Sequence, residues 1–285
     1  MTAKPATILA SETRLMKSKH TGRTYRITIS LPYAYSKPGV KGGAFDNAPA
    51  AWPVVYLLDA NWFFGMVTDT VRAMAWCGRT TEAIVVGIGY SENADPQETF
   101  REAMARREND FTPVRSEVIE KEMTEGIRRP VYTGDAGNFL KFIKDELTPQ
   151  VEKEFRADPS KRILAGHSLG GLFAAFALFE GPDLFNTFII GSPYLAYGDK
   201  FTFKHEEAFA QKHKKLPANV YLFAGELEES VDDTTLTDSL RFAAVLQSRK
   251  YKGLSLVNQV FVDQNHCEVT APGFQAGLKF ALKKS

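Results

Sequence analysis

A chain of 285 residues, 44% hydrophobic and 24% charged, is large enough to bury a sizeable core and has the make-up of an ordinary globular protein. Its formal net charge of +1 argues against a nucleic acid or other polyanion as partner. The two cysteines, Cys77 and Cys267, are too few for a disulfide framework. The N-terminus lacks the apolar run of a secretory signal, and no stretch approaches the roughly 20 apolar residues of a membrane span, so a cytoplasmic protein with no membrane partner is expected.

In chain order, "TRLMKSK" and "RTYRITISLP" alternate apolar and polar residues around "HTG", which predicts an antiparallel hairpin. "SKPGVKGGAFDNAPAAWP" reads as an irregular surface loop. "VVYLLD", "AIVVGIGY", "RILAG", "TFIIGS", "VYLFAG" and "LSLVNQVFVD" are continuous apolar runs, as expected for strands buried on both faces. "NFLKFIKDELTPQVEKEF", "LGGLFAAFALF", "TLTDSLRFAAVLQSRKY" and "FQAGLKFALKK" carry helical patterns between and after them. Alternating strands and helices predict an α/β fold with a mostly parallel sheet covered on both faces, the hairpin extending one edge. Two segments interrupt the alternation, about 91–132 and 193–216, and both follow the C-terminal end of a strand, where open parallel sheets bind ligands. No internal repeat or low-complexity tract divides the chain, so a single domain over residues 1–285 is expected.

Gly166-His167-Ser168-Leu169-Gly170 has the G-x-S-x-G spacing of a nucleophile elbow, with a strand before it and a helix after it. The serine must take a strained conformation at the strand tip, and flanking glycines let strand and helix pass closely. A serine needs a base, and the base needs an acid. Of the five histidines, His20 sits in the hairpin turn, His167 is the elbow's own variable position, and His205 and His213 lie in the charged "KHEEAFAQKHKK". His266, in "FVDQNHCEV" beyond the last strand, has the required place in the order serine, acid, histidine. The acid is sought in "GELEESVDD": Glu226, Glu228, Glu229, Asp232 and Asp233 all qualify, Glu228 is favoured by its distance from the strand-ending glycine, and Asp263 is the outlying alternative. One backbone oxyanion donor is expected from Leu169 and a second from Asn61 or Trp62 in "ANWFFG". Phe63 and Phe64 in the same stretch serve equally well as helix-core residues.

Taken together, "YLLDANWFF", "RRENDFTP", "TGDAGNFLKFIKDELTPQVEKEF", "GHSLGGLFAAFALF" and "GELEE" resemble the esterase D-like α/β-hydrolases, in particular the subgroup that contains the bacterial trilactone siderophore esterases. The likeness runs from about Arg14 to the C-terminus; the subgroup's tryptophans after the sixth strand are replaced here by "SPYLAYGDKF", and its glycine after Asp59 by Ala60. The resemblance implies an α/β-hydrolase fold and a serine carboxylic ester hydrolase, with Ser168 as nucleophile, His266 as base and an oxyanion donor in the "LLDANW" loop. The expected partner is a small-molecule ester, either a siderophore trilactone or an aryl or short-chain ester. Arg106, Arg107, Arg128 and Arg129 would suit the anionic substrate, or else pair internally with neighbours such as Glu108 and Asp110. Trp62, Tyr194 and Tyr197 would line an acyl or aryl pocket. No cofactor or metal is expected, since neither an HExxH motif nor a Cys/His cluster is present. An acyltransferase and a non-catalytic binding protein on the same fold are the competing readings.

Overall fold

The computed structural model describes residues 6–36, 49–91, 95–230 and 233–284. Most of the loop expected over "SKPGVKGGAFDNAPAAWP" and the acid candidate Asp232 lie outside the described residues. The predicted hairpin forms: β1 (Ser11–Lys17) pairs antiparallel with β2 (Thr24–Ser30), and the turn is closed by Ser18 N–H donating to Arg23 O at 2.8 Å. The six predicted apolar strands follow as β3 (Trp52–Leu57), β4 (Ile84–Gly89), β5 (Ala157–His167), β6 (Thr187–Gly191), β7 (Asn219–Gly225) and β8 (Ser255–Phe261). Their order across one eight-stranded sheet is β1-β2-β4-β3-β5-β6-β7-β8. The β2–β4 pairing is antiparallel and every pairing from β4 to β8 is parallel.

Successive residues of β3 enter opposite cores. Val54 and Tyr56 pack on one side with Phe139, Phe173 and Phe242, while Val55 and Leu57 pack on the other with Phe64, Val67, Phe274 and Leu278. A strand buried on both faces has no polar side to alternate with, which is why the runs in β3 to β7 read as continuously apolar; β8, expected to be buried likewise, is instead the edge strand, and its residues alternate between exposed and half-buried. The helices are α1 (Ala60–Trp76), α2 (Pro96–Phe111), α3 (Glu117–Ile127), α4 (Ala136–Phe142), α5 (Thr148–Glu154), α6 (Leu169–Glu180), α7 (Tyr197–Lys212), α8 (Thr235–Arg249) and α9 (Thr270–Ala281). The predicted helix over "NFLKFIKDELTPQVEKEF" forms as α4 and α5 joined by a π-helical turn over Ile143–Leu147. Pro149 at the start of α5 has no N–H to return to the preceding turn, and the widened turn accommodates it. This is the α/β-hydrolase arrangement expected from the sequence.

Three helices, α1, α2 and α3, are not apparent in the sequence pattern. "ANWFFG" opens α1, seventeen residues long, rather than forming a loop. The 91–132 segment contains α2, whose apolar positions are too few to show a helical period, and α3, a short helix with Ile119, Met123 and Ile127 at helical spacing amid charged residues. Each is instead started by a side-chain cap: Asp95 accepts from Gln97 N–H at 2.9 Å, and Ser116 accepts from Ile119 N–H at 3.4 Å. Polar anchors fasten α2 to the sheet. Arg106 donates to Thr24 O at 2.7 Å, and buried Asp110 accepts from the hydroxyls of Tyr25 and Tyr90, each at 3.1 Å, and from Arg23. The second interruption, at 193–216, holds α7, whose first turn is broken by left-handed backbone at Gly198, Asp199 and Lys200.

Candidate active site

Ser168 stands between β5 and α6 with φ 61° and ψ −121°, outside the comfortable regions for an L-residue. Its N–H is held by Gly191 O at 2.9 Å and its carbonyl accepts from Leu172 N–H at 2.9 Å. Two residues earlier, a β-carbon on Gly166 would stand 2.3 Å from Gly170 O, so the strand and the helix meet too closely for any side chain there. The Ser168 hydroxyl makes no hydrogen bond among the described residues, so the bond to His266 called for by the sequence is open in this structure. Such bonds are often long until substrate binds.

His266 and Glu228 do come together. His266 Nδ1 lies 2.6 Å from Glu228 Oε2, and the histidine side chain is 41% exposed while the glutamate is completely buried. The loops carrying them are stitched to each other, with Glu226 N–H donating to Phe261 O at 2.9 Å and Leu227 N–H to Gln264 O at 3.0 Å. Gly225 permits this, because a β-carbon there would stand 2.2 Å from Gln264 O. The remaining acids point elsewhere: Glu226 accepts from Asp263 N–H at 3.0 Å, Glu229 from Thr237 N–H at 2.9 Å, and Asp233 from Thr235 N–H at 2.9 Å.

The other histidines are placed away from this pair or beneath it. His20 Nε2 meets Asp145 at 3.0 Å in the hairpin turn, and His213 stacks on Phe209. His205, although in a charged stretch of sequence, is packed against Phe176, Phe179 and Phe201 and meets Glu180 at 3.3 Å. His167 is buried directly under His266, their ring centroids 4.6 Å apart, with Phe63 and Phe223 on its other sides. Burial, reinforced by the nearby His266 and Arg107, pushes His167 down to about 3, so it is a neutral ring at working pH.

The turn after β3 supplies the facing wall. Leu58 N–H donates to Ala165 O at 3.0 Å, which sets this turn beside the elbow. Asp59 has left-handed backbone, φ 53° and ψ 41°, and its buried carboxylate takes both arms of Arg107, at 2.9 and 2.8 Å. The N–H groups of Trp62 and Phe63 are both occupied by Asp59 O, at 3.0 and 3.2 Å. Asn61 N–H has no acceptor among the described residues, and the Asn61 side chain brackets the Tyr90 backbone, accepting from its N–H at 2.7 Å and donating to its carbonyl at 3.0 Å. On the opposite side, Leu169 opens α6, where a helix leaves its first N–H groups without internal partners.

Of the residues read as substrate contacts, the structure keeps some at the surface and takes others inward. Trp62 is 36% exposed and Tyr194 42% exposed, the latter held beside the elbow by its N–H donating to Ser168 O at 3.4 Å. Tyr197 is buried, with its hydroxyl donating to Val114 O at 2.8 Å, and so braces the 91–132 segment. Arg107 is buried on Asp59, Arg106 is turned to Thr24, and Arg129 pairs with Glu98 at 3.2 Å and with Glu102. These partners are not the expected Glu108 and Asp110, because α2 turns Asp110 toward Arg23 in β2 territory. Arg128, at the left-handed end of α3, is exposed. Two residues beside the site, one exposed and one buried, are not singled out by the sequence. Phe100 on α2 is 53% exposed and its ring lies 5.8 Å from that of Trp62. Ser192, just past β6, is fully buried and donates to Glu228 Oε1 at 2.6 Å. No group of three or more His, Cys, Asp or Glu that would hold a metal ion occurs among the described residues.

A family model described as "Putative esterase" matches residues 18–276. The chain is 35% identical over 280 residues to the ferri-bacillibactin esterase BesA of Bacillus subtilis, covering 95% of this chain and 86% of that protein. It is 34% identical over 179 residues to the siderophore enterobactin esterase of Emericella nidulans, covering 62% of this chain and 55% of that one. Among solved structures, the BES protein from Bacillus cereus superposes with a TM-score of 0.80 at 29% identity, covering 100% of this chain and 99% of that chain.

Proposed function

The chain belongs to the esterase family and is an ester-hydrolysing enzyme, and we propose that it opens the ester bonds of a siderophore trilactone through an acyl-enzyme on Ser168. The observation that carries the reading is the buried Glu228 carboxylate bonded to His266 Nδ1 on the same sheet edge as the strained Ser168. With Nδ1–H donating to Glu228 Oε2, the His266 Nε2 lone pair is free to accept the Ser168 proton. Ser168 Oγ attacks the ester carbonyl, and the oxyanion is received by the N–H groups of Leu169 and Asn61. Asn61 is assigned over Trp62 because the Trp62 N–H is already committed to Asp59 O. One such donor is worth on the order of 100- to 1000-fold in rate. His266 then returns the proton to the leaving alcohol, and water attacks the acyl-enzyme by the same route.

The trilactone substrate is supported by the 35% identity to the ferri-bacillibactin esterase over nearly the whole chain. We assign contact with its aryl groups to Trp62, Tyr194 and Phe100, since Arg106, Arg107 and Arg129 are spent inside the protein. We infer further that the chain acts as one α/β-hydrolase domain in the cytoplasm, a compartment that suits its two exposed free cysteines. No helix among the described residues is long and apolar enough to cross a membrane.

The test is hydrolysis of a ferric trilactone siderophore and a set of p-nitrophenyl and aryl esters by the wild type and Ser168→Ala. The expected result is trilactone turnover well above that of the simple esters, lost by on the order of 10^4- to 10^6-fold in kcat without the serine. Serine-dependent turnover of the simple esters alone would reject the trilactone and leave the esterase. A loss of only a few-fold in Ser168→Ala would reject the nucleophile.

A further inference from the structure

The two oxygens of the Glu228 carboxylate have separate tasks. Oε2 faces His266 Nδ1 at 2.6 Å. Oε1 accepts from Ser192 Oγ and from Gly225 N–H, both at 2.6 Å. Ser192 has φ 36°, a left-handed backbone that only glycine adopts without strain. It is held there by its N–H donating to Phe223 O at 2.7 Å, and none of its surface reaches solvent. Glycine would relieve the backbone at this point. The chain instead keeps a serine, and spends its hydroxyl on the one carboxylate that faces His266.

We propose that Ser192 is a positioning residue for ester hydrolysis, its hydroxyl fixing the rotation of the Glu228 carboxylate so that Oε2 is aimed at His266. The carboxylate is carried on a side chain with three rotatable bonds, and a single anchor at Gly225 N–H leaves it free to swing about that contact. A second donor on the same oxygen from a different strand removes that freedom. Ser192 comes from the end of β6 and Gly225 from the end of β7, so the carboxylate is referenced to two neighbouring parallel strands. The imidazole, aligned through Glu228, then keeps Nε2 turned toward Ser168. This proposal rests on the reading of Ser168, His266 and Glu228 as the reacting set.

Ser192→Gly is the informative variant, because glycine accepts the local backbone while the hydroxymethyl group, and with it the donor to Glu228, is lost. Its thermal midpoint is expected to stay near that of the wild type while kcat falls on the order of 10- to 100-fold, with KM changed less than roughly twofold. The proton NMR signal of the His266 Nδ1–H is expected to move or broaden, since the acceptor's position is no longer fixed. Ser192→Cys, which keeps the size and a weaker donor, is expected to recover part of kcat. Wild-type kcat in folded Ser192→Gly, or an unmoved His266 signal, would overturn the proposal. Failure of the underlying reading is separately visible: Ser168→Ala would then keep its turnover, a result no Ser192 variant can produce.

Discussion

Glu108 offers a prediction in which pH, structure and stability are tied by one side chain. It sits on α2 beside the Asp59–Arg107 pair, only 5% exposed. Burial pushes its carboxyl up to about 7; Arg107 opposes the rise and Asp59 adds to it. Arg107 already has both arms on Asp59, so the pair presents little net charge to a third group. The unfolded chain releases this proton near the ordinary glutamate value of 4.5, whereas the folded protein keeps it until about 7. Folding is therefore favoured at low pH and loses stability as pH climbs through that window, by up to ~3 kcal/mol once both states are ionised. Glu108→Gln replaces the protonated carboxyl with a neutral group of the same shape that does not titrate. The variant is expected to match the wild type near pH 4.5 and to exceed it at pH 8, by a thermal midpoint difference of about 5 °C. Circular-dichroism melts of both proteins at the two pH values measure this. Parallel pH profiles for wild type and variant, or a wild type that gains on the variant toward pH 8, would refute the reasoning.

Arg107→Met leaves the Asp59 carboxylate buried without its partner and is expected to cost ~3–5 kcal/mol in urea denaturation, part of which Asp59→Asn in the same chain should recover. Glu228→Gln keeps an acceptor for Ser192 and Gly225 only by turning its amide toward His266. That forces the proton onto Nε2 and removes the base, so kcat measured on any turned-over ester should fall by about 10^4-fold without a matching loss of fold. Phe100→Ala removes one ring of an exposed pair with Trp62. It should raise KM for aryl esters by about 2- to 10-fold and leave alkyl esters and the thermal midpoint unchanged.

The inner strands were legible as short apolar runs and the hairpin by its alternation, and the elbow because its spacing is local to five residues. The contact of His266 with Glu228 follows the chain order for the histidine and the distance from the strand-ending glycine for the glutamate, since a parallel sheet delivers the ends of β5, β7 and β8 to one edge. Tertiary contacts decided the rest. Arg107 in "RRENDFTP" reads either as a substrate cation or as a partner for its sequence neighbours, and nothing nearby in sequence announces that Asp59, in the turn after β3, will claim it. Asn61 and Trp62 look equivalent in the sequence, and only the start of α1 distinguishes them, by bonding the Trp62 N–H to Asp59 O. Tyr197 reads like Tyr194, yet the tight turn leading into α7 separates a buried brace at its first residue from an exposed rim three residues earlier.

Backbone strain marks the site more sharply than any side-chain pattern. Asp59, Ser168, Ser192 and Asp263 follow the ends of β3, β5, β6 and β8, and all four have positive φ, at 53°, 61°, 36° and 56°. None is glycine, although glycine would relieve each of them. At three of the four the side chain explains why. Asp59 receives Arg107, Ser168 presents its hydroxyl at the elbow, and Ser192 reaches Glu228. Strain of this kind persists only where surrounding structure enforces it, and here it is enforced along the edge where ligands enter a parallel sheet. A serine or aspartate in a left-handed turn costs little in the sequence and leaves no composition signal. It is the coincidence of strain, burial and a charged or reactive partner that separates these turns from the left-handed ends of α3 and α8 at Arg128 and Lys250, which only terminate helices.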